Sequence, residues 1–586
     1  MDIFDILSLV CGLALFLYGM DVMGDSLKKS AGNSLKTILN NMTSNPVKGF
    51  LLGLAVTAVI QSSSATTVMV VGFVNSGTMT LLQSVGVIMG ANVGTAVTAW
   101  LTGLSGMGGG EAALSVIRWL KPDSWMPILA LIGICLLMFA KRGKKKDIGA
   151  ILLGFAVLMV GMSMMSDAVA GLKNDEGFKS ILTMFENPIL GVLAGLVLTA
   201  IVQSSSASVG ILQSLTVTGA ITYGAAIPIV MGQNIGTCVT AMLSSMGANR
   251  NGKRAAIIHL YFNIIGVVVW LILFYVADAI LNFAFVDTAI DMWGVALVHT
   301  VFKLLSVAIM APFYRKLEKL AMLTIKDKKE DGDATTLLDE RLLETPTVAV
   351  MRATEVTSQM ADISTEALLK SLQLAKEFDP KLADEIRDLE DKADLMEDAL
   401  GSYLVKVSSY DMDPADSLQV TKLLHMIGDY ERISDHAVNI VESLEELKDK
   451  KIIFSDAAQS ELAVLRDAIA EILAETRQAC VYNDLAAATN VEPIEQVVDS
   501  LLDRIKLNHT QRLQNSLCTI ELGFVLSDLL TNFQRVSDHC SNIAGCLIET
   551  SQFGAMDMHK YLSSVKQGSA EFQKKFDAYK EKFSIG

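Results

Sequence analysis

Two short polar runs stand inside strongly apolar sequence, and their residue types are those that bind ions. One is Gln61 to Ser64 within AVIQSSSATTVMVVGF, and the other is Gln203 to Ser206 within AIVQSSSAS. A polar group in hydrocarbon needs a partner, so four adjacent ones must either satisfy one another or receive a ligand. Their hydroxyls and amides can donate to an oxyanion, and their oxygens suit a hard cation such as sodium.

The two runs belong to a duplicated module. Residues 42–66 align with 184–208 at an offset of 142, with 14 of 25 positions identical. The same offset aligns GANVGT, which contains Asn92 and Thr95, with GQNIGT, which contains Asn234 and Thr237. Glycine allows close approach or an unwound turn, so we expect these two segments to line the same site as the QSSS motifs. The alternative is that the small polar residues serve only to pack helices.

Apolar stretches of about 20 residues, enough to cross a roughly 30 Å hydrocarbon core, predict a polytopic membrane domain over residues 1–320. These stretches lie near 4–22, 80–104, 124–140, 148–166, 222–246, 255–282 and 292–313. The stretches that flank each QSSS motif are too short to cross, which predicts two re-entrant hairpins. Three crossings per repeat then place the second copy, about 148–283, upside down relative to the first, about 4–141.

Basic clusters favour this inverted topology. Under the positive-inside rule, four clusters fall on one side of the predicted membrane, which we take as the cytoplasm. They begin at Lys28, Lys141, Arg250 and Arg315. Arg118 and Lys121 fall on the opposite side and do not fit. The expected location is the cytoplasmic (inner) membrane, with the C-terminal part in the cytoplasm.

The charge distribution divides the chain. Residues 1–320 have a net charge of +5 and residues 321–586 a net charge of −20, with a mean hydropathy of +0.42 for the whole chain. An acidic soluble domain over 346–586, after a polar linker at 321–345, is therefore predicted. This acidic chain gives no reason to expect a nucleic-acid partner.

An anion in the predicted membrane site would find little fixed positive charge. Within the predicted spans only Lys303, His259 and His299 carry basic groups, and Asp278 is the one deep acid. Because burying a bare charge is expensive, cations that bind together with the anion would remove the difficulty. This favours cation-coupled anion uptake.

The paired QSSSA motifs, the two GxNxGT segments and HLYFN (259–263) together resemble the type II sodium/phosphate cotransporter family. The resemblance implies that sodium ions and inorganic phosphate are transported together and that the two hairpins bind them. It also implies which residues bind: Gln61, Ser62, Ser63, Ser64, Thr66, Asn92, Thr95, Gln203, Ser204, Ser205, Ser206, Asn234 and Thr237. HTVFK (299–303) departs from the pattern, because Lys303 replaces asparagine.

The soluble part predicts long amphipathic helices and contains its own repeat, DYERISDHAVNI (429–440) against NFQRVSDHCSNI (532–543). Glu431 and Asp435 share a helix face and could bind a metal ion together with acids of a neighbouring helix such as Asp391, Asp394 or Asp398. In the second copy Asp538 would act with Glu495 and Asp499. Solvated acidic faces are the alternative.

This part resembles the PhoU family of paired three-helix bundles, whose ExxxD motifs bind metals. The resemblance implies a divalent or iron ion in the bundle and regulation by phosphate state or by phosphate-signalling proteins. The predicted fold is thus all-α: a membrane domain of inverted repeats followed by a cytoplasmic PhoU-like bundle.

Sodium-coupled phosphate symport is the function predicted. The alternatives are phosphate export and a membrane-anchored phosphate-signalling scaffold. An enzyme is not expected, because the serines have no GxSxG context and no nearby histidine or aspartate in the sequence.

Overall fold

The computed structural model describes residues 2–40, 46–106, 122–140, 144–326, 338–552 and 570–585. These residues fold into helices, and the one isolated β-bridge among them joins Thr222 to Ala289. The all-α prediction is confirmed. The contacts divide the chain into two compact units, Met1–Thr345 and Pro346–Gly586.

Fifteen α-helices form the described part of the first unit. They are α1 (Ile3–Asn40), α2 (Pro46–Ile60), α3 (Ser63–Asn75), α4 (Leu81–Gly94), α5 (Ala96–Gly103), α6 (Pro122–Phe139), α7 (Lys144–Ala170), α8 (Glu176–Met184), α9 (Pro188–Val202), α10 (Ser205–Thr216), α11 (Tyr223–Gly236), α12 (Cys238–Ser244), α13 (Arg250–Leu281), α14 (Met292–Met310) and α15 (Tyr314–Thr324). Arg118, Lys121, Lys141 and Arg142, which entered the topology prediction, lie outside the described residues.

Six of the described helical segments are long and apolar enough to cross a membrane. They are Ile3–Ser30, Leu81–Gly103, Lys144–Lys173, Tyr223–Gly247, Arg250–Leu281 and Met292–Thr324. The remaining predicted span, at 124–140, corresponds to the apolar helix α6. The helices beside the QSSS motifs, α2 and α3, are shorter, as the apolar pattern predicted.

The helix boundaries repeat at the same offset of 142 as the sequence. Helices α2, α3, α4 and α5 have counterparts α9, α10, α11 and α12, and each pair begins at equivalent positions. Helices α1 and α7, equivalent to each other, pack through glycines. A Cβ atom on Gly12 would lie 2.8 Å from the carbonyl oxygen of Gly161, and one on Gly19 would lie 2.6 Å from that of Gly154. These pairings run in opposite directions along the chain, so α1 and α7 are antiparallel.

The chain turns back on itself at each QSSS motif. Thr57 Oγ1 donates to Thr66 Oγ1 at 3.0 Å, and at the equivalent positions Thr199 Oγ1 donates to Ser208 Oγ at 2.8 Å. Nine residues of continuous helix would separate such partners by about 13 Å. The side-chain contacts therefore require that α2 with α3, and α9 with α10, form helical hairpins.

Part of the predicted linker is folded against the first unit. Asn75 Nδ2 donates to Asp339 Oδ2 at 2.6 Å, and Arg341 Nε donates to the carbonyl oxygen of Ser244 at 2.8 Å. Leu342 and Leu343 in the same segment are buried. Residues 327–337 of the predicted linker lie outside the described residues. The polar composition of 321–345 therefore concealed a short packed segment.

The second unit is the predicted helical bundle. Its described helices are α16 (Pro346–Leu374), α17 (Pro380–Ser408), α18 (Pro414–Lys450), α19 (Asp456–Tyr482), α20 (Leu485–Gln514), α21 (Ile520–Gln552) and α22 (Ala570–Lys582). The amphipathic pattern predicts this last helix over 557–582, and residues 557–569 of that range lie outside the described residues.

The two three-helix repeats of the bundle meet where α18 packs on α21. His539 Nδ1 lies 2.8 Å from Asp429 Oδ1, and the equivalent His436 Nδ1 lies 2.9 Å from Asn532 Oδ1. The two imidazole rings stack with centroids 5.7 Å apart. The DYERISDH and NFQRVSDH motifs therefore form the junction between the repeats.

Candidate functional site

Each QSSS motif forms the tip of a helical hairpin with the same backbone geometry. Gln61 and Gln203 adopt left-handed conformations with φ of 59° and 54°, so each ends one helix of its hairpin. The next residues, Ser62 and Ser204, are the N-caps of α3 and α10, and their hydroxyls accept hydrogen bonds from Ala65 N at 3.1 Å and from Ala207 N at 3.2 Å. Serine is a preferred N-cap residue, which explains why both helices begin here.

The structure brings the two motifs together. All eight residues of the two QSSS segments line one cavity of about 470 Å³. Ser63, Ser205 and Ser206 are buried, whereas Gln203 is exposed. The two equivalent polar runs therefore share one cavity.

Charged residues of α1 complete the wall of the cavity. Asp21, Asp25 and Lys28 line it, and Lys28 Nζ lies 2.8 Å from Asp25 Oδ1. The sequence reasoning missed these residues because it ended the first span near residue 22 and assigned Lys28 to the cytoplasmic rim. Helix α1 in fact continues to Asn40. The uninterrupted helical pattern after Asp25, with no glycine or proline until Gly32, could have indicated this.

The cavity is lined both by groups that can bind an anion and by groups that can bind a cation. The first turns of α3 and α10 line it, and the first N–H groups of a helix have no intrahelical acceptor and carry the positive end of the helix dipole. Such N-termini bind anions. The carboxylates of Asp21 and Asp25, with the serine and glutamine oxygens, are hard ligands for a cation.

Helix α5 holds the first hairpin tip in place. Thr98 Oγ1 donates to Gln61 Oε1 at 2.9 Å, and Gln61 Nε2 donates to the carbonyl oxygen of Ala58. Thr102, one turn further along α5, donates to Gln213 Oε1 of α10 at 2.6 Å. One helix therefore connects to both hairpins.

Five of the predicted site residues lie outside the lining of this cavity, and their role in binding stays a prediction. They are Thr66, Asn92, Thr95, Asn234 and Thr237. The hydroxyls of the three threonines donate to backbone carbonyls of their own helices, at Ser62, Asn92 and Asn234. Their hydrogen bonds are used to shape the hairpin and the helix breaks rather than to face the cavity.

The two asparagines form a separate buried bridge. Asn92 Nδ2 and Asn234 Nδ2 each donate to Asn263 Oδ1 at 2.6 Å. Asn263 Nδ2 in turn lies 3.1 Å from the carbonyl oxygen of His259. The HLYFN segment therefore connects equivalent positions of the two repeats. In HTVFK, the segment that departs from the family pattern, His299 and Lys303 are buried as well.

In the second unit, the structure does not form the predicted metal site at Glu431 and Asp435. Among the described residues, no three histidine, cysteine or acidic side chains meet as a metal ion would require. Asp391, Asp394 and Asp398, the predicted partners, are exposed. On α17, Glu390 interacts with Asp435 and Glu397 interacts with Glu431. Burial, together with the adjacent Asp435 carboxylate, raises the pKa of Glu431 to about 7. The carboxyl groups of Glu431 and Asp435 therefore interact with each other and with those of Glu390 and Glu397.

At the second predicted metal position, too, the described residues form no metal-binding group. Asp538 forms an ion pair with Arg535, at 3.6 Å. Glu495 and Asp499 do not join Asp538 in a metal-binding group within the described ranges.

Two family models match the chain. The Na+/Pi-cotransporter model matches residues 15–167 and again 157–295, so it detects the same duplication. The PhoU domain model matches residues 357–444 and 462–547, the two halves of the bundle. Both matches correspond to the repeats described above.

Three relatives are similar to this chain over different shares of its length. YjbB of Escherichia coli (strain K12), whose name marks it as a candidate inorganic phosphate export protein, is 25% identical over 562 residues, covering 93% of this chain and 97% of the relative. The uncharacterized protein YqeW of Bacillus subtilis (strain 168) is 30% identical over 263 residues, covering 45% of this chain and 80% of the relative. Sodium-dependent phosphate transport protein 2A of Rattus norvegicus is 23% identical over 376 residues, covering 44% of this chain and 59% of the relative. No solved structure matches the chain significantly.

Proposed function

Because the chain belongs to the Na+/Pi-cotransporter family and carries a PhoU helical domain, we propose that it is a sodium-coupled symporter of inorganic phosphate. The single observation that supports this most is the shared cavity, in which both QSSS motifs meet beside two carboxylates and one lysine. Family membership supports phosphate transport. The oxygen ligands and carboxylates of the cavity support the coupling of that transport to sodium.

Phosphate binds, in this proposal, at the two helix N-termini. The serine hydroxyls and first-turn N–H groups of α3 and α10 donate to its oxygens from opposite hairpins. Lys28 contributes one positive charge, which its ion pair with Asp25 offsets. A phosphate that carries one or two negative charges therefore still needs added cations to enter without a large desolvation penalty.

Sodium ions supply those cations. Asp21, Asp25 and the side-chain oxygens of the QSSS motifs are the residues that would hold them, because sodium prefers hard oxygen ligands. Thr66, Asn92, Thr95, Asn234 and Thr237 act as positioning residues. They shape the hairpins and fix the two repeats to Asn263.

The two repeats insert into the cytoplasmic membrane with opposite orientations, and their hairpins are re-entrant. The antiparallel packing of the equivalent helices α1 and α7 supports this arrangement. Inverted repeats with interrupted helices commonly place a transport site near the middle of the bilayer. Movement of the hairpin assemblies relative to the remaining helices then opens the cavity to one side at a time.

The PhoU-like bundle lies in the cytoplasm and regulates transport according to the intracellular phosphate state. The matches to the PhoU domain model support a link to phosphate control. Phosphate-signalling proteins are the partners that this proposal implies.

The test is uptake of radiolabelled phosphate by purified full-length protein in proteoliposomes. We expect an inward sodium gradient to increase the initial rate at least about tenfold over an equal potassium gradient. The reason is that sodium supplies the cations that phosphate needs in order to enter the cavity. Empty liposomes are the control. Equal uptake in sodium and potassium would reject sodium coupling, and no uptake in either would reject transport of phosphate inward.

Phosphate export is the second candidate, favoured by the similarity to YjbB over nearly the whole length of both chains. The same proteoliposomes distinguish the two when they are preloaded with labelled phosphate. Export that proceeds against an inward sodium gradient supports this candidate, whereas efflux that needs an outward sodium gradient supports a reversible symporter.

A further inference from the structure

The helical bundle contains a cavity larger than the one at the QSSS motifs. Its volume is about 840 Å³, and it lies between the end of α16, the end of α18, the start of α19 and one face of α21. Ligand sites for drug-sized molecules occupy about 300–1,000 Å³. No part of the proposed transport function uses this cavity.

Four cationic side chains line the cavity: Lys376, Lys448, Lys451 and Arg466. The second unit contains 24 basic and 41 acidic residues, a net charge of −17, so a cluster of cations is unexpected here. Across the described part of the chain, none of the four forms an ion pair. Lys450, by contrast, lies in the same helix as Lys448 and pairs with Glu446 at 2.5 Å.

Arg466 supplies a buried donor that the protein leaves unused. Its Nε atom is buried without a hydrogen-bond partner among the described residues. Burial lowers the pKa of Arg466, although nearby Asp467 acts in the opposite direction. An unsatisfied buried N–H is destabilising, and an anionic acceptor in the cavity would offset that cost.

The rest of the cavity is apolar and aromatic. Phe378, Phe454 and Phe533 line it together with several leucines and isoleucines. Lys448 Nζ lies 4.3 Å from the centre of the Phe378 ring, a cation–π contact that holds this lysine at the cavity without neutralising it. Flat rings stack on aromatic side chains, whereas an inorganic anion would leave this surface empty.

We propose that this cavity binds a nucleotide, with its phosphates on Lys448, Lys451 and Arg466 and its base against the phenylalanines. Glu377 and Asp456 also line the cavity, so the lining carries a net charge of +2. That excess suits a ligand with several negative charges better than one with a single carboxylate. A nucleotide at this position would give the bundle a signal other than phosphate itself.

Binding is tested by titration calorimetry of the purified full-length protein with ATP, adenosine or pyrophosphate in magnesium-free buffer. We expect ATP to bind saturably and both fragments to bind at least about tenfold more weakly, because each retains only part of the contacts. Arg466→Gln and Lys448→Gln should each weaken ATP binding at least about tenfold, since each removes a charge-assisted contact. Lys450→Gln is the matched control, with the same charge change outside the cavity, and should leave binding unchanged.

Several results would overturn the proposal. One is the absence of saturable ATP binding up to about 1 mM, a concentration that corresponds to only about 4 kcal/mol of binding free energy. Another is pyrophosphate or adenosine binding as tightly as ATP. A third is an equal loss of ATP affinity in Lys448→Gln and Lys450→Gln. The thermal midpoint of Arg466→Gln is measured in parallel. If that variant unfolds, Lys448→Gln still decides the question, because Lys448 is exposed and forms no ion pair in the described structure.

Discussion

Gln61 and Gln203 combine a costly backbone conformation with a side chain at the cavity. A residue other than glycine in the left-handed region costs roughly 1–2 kcal/mol, and glycine would avoid that cost. Glutamine at both positions therefore suggests that the side chain itself is needed. The sequence identified both residues from their type and repetition, but it could not reveal the left-handed backbone that makes them hairpin tips.

Gln61→Gly separates these two roles. We expect its thermal midpoint to stay near that of the wild type, because relief of backbone strain offsets loss of the hydrogen bond with Thr98. Phosphate uptake should nevertheless fall at least about tenfold. Asn282→Gly is the matched control, since Asn282 is also left-handed but does not line the cavity. Normal uptake by Gln61→Gly would show that its side chain does not act in transport.

Glu461 is a buried ion-pair partner within the bundle. Arg512 donates two hydrogen bonds to its carboxylate and Asn508 donates a third, each at 2.8 Å. Burial opposes ionisation of Glu461, but these hydrogen bonds outweigh burial and lower its pKa. The stabilisation is therefore fully present above the unfolded-state pKa of about 4.3 and is lost as the pH falls through the lower folded-state value.

Glu461→Gln should lower the free energy of unfolding of the bundle by about 2 kcal/mol at pH 7, because it removes one partner of a buried charged pair. Scanning calorimetry of the full-length protein measures this change. The difference from the wild type should shrink below about pH 4. Glu471→Gln, in the same helix but in a more exposed pair with Lys582, should cost less than about 1 kcal/mol. Equal losses in the two variants would contradict the assignment.

At the scale of elements, repeated glycines allow close approach of the helices that carry the hairpins. A Cβ atom on Gly53 of α2 would overlap the carbonyl oxygen of Val87 in α4, and one on the equivalent Gly195 of α9 would overlap that of Ile229 in α11. Both contacts involve backbone atoms, which cannot move aside as a side chain can. The glycines therefore set the distance between each hairpin and the following helix.

Gly53→Ala should destabilise the first unit by about 1–3 kcal/mol or more, because the two helices must separate. Gly49→Ala is the matched control in the same helix, where the nearest atom would lie at an ordinary 3.6 Å. Thermal unfolding of both variants in detergent provides the comparison. The account of helix packing is wrong if Gly49→Ala is the less stable of the two.

Sequence patterns predicted most of the elements because apolar length and helical periodicity are local properties. The starts of α3 and α10 coincide with serine N-caps, and the start of α18 coincides with Asp413 before Pro414. The patterns failed where distant contacts decide the outcome. Asn263 accepts hydrogen bonds from equivalent asparagines of both repeats. Leu342 is buried although its segment is polar on average. Likewise, the spacing of Glu431 and Asp435 in the sequence could not give the distances from their side chains to those of neighbouring helices.

For the whole molecule, the two repeats are proposed to insert into the membrane with opposite orientations. Lys316 and Glu176 are both exposed, and the inverted topology places Lys316 inside and Glu176 outside. In a background without native cysteines, Glu176→Cys should react with an impermeant maleimide in intact cells. Lys316→Cys should react only after permeabilisation. Labelling of both from the outside would contradict the topology and with it the cytoplasmic position of the bundle.

The account depends most on the joint action of the two QSSS motifs at one cavity. The most direct test is sodium-dependent phosphate uptake in proteoliposomes by Ser63→Ala and Ser205→Ala, with Ser214→Ala as the control. Ser214 lies in the same helix as Ser205, is buried, and donates to the carbonyl oxygen of Ile211 rather than lining the cavity. We expect each of the first two variants to lose at least about tenfold of the uptake rate, while the control keeps it. Unchanged uptake in Ser63→Ala and Ser205→Ala, or an equal loss in Ser214→Ala, would contradict the assignment.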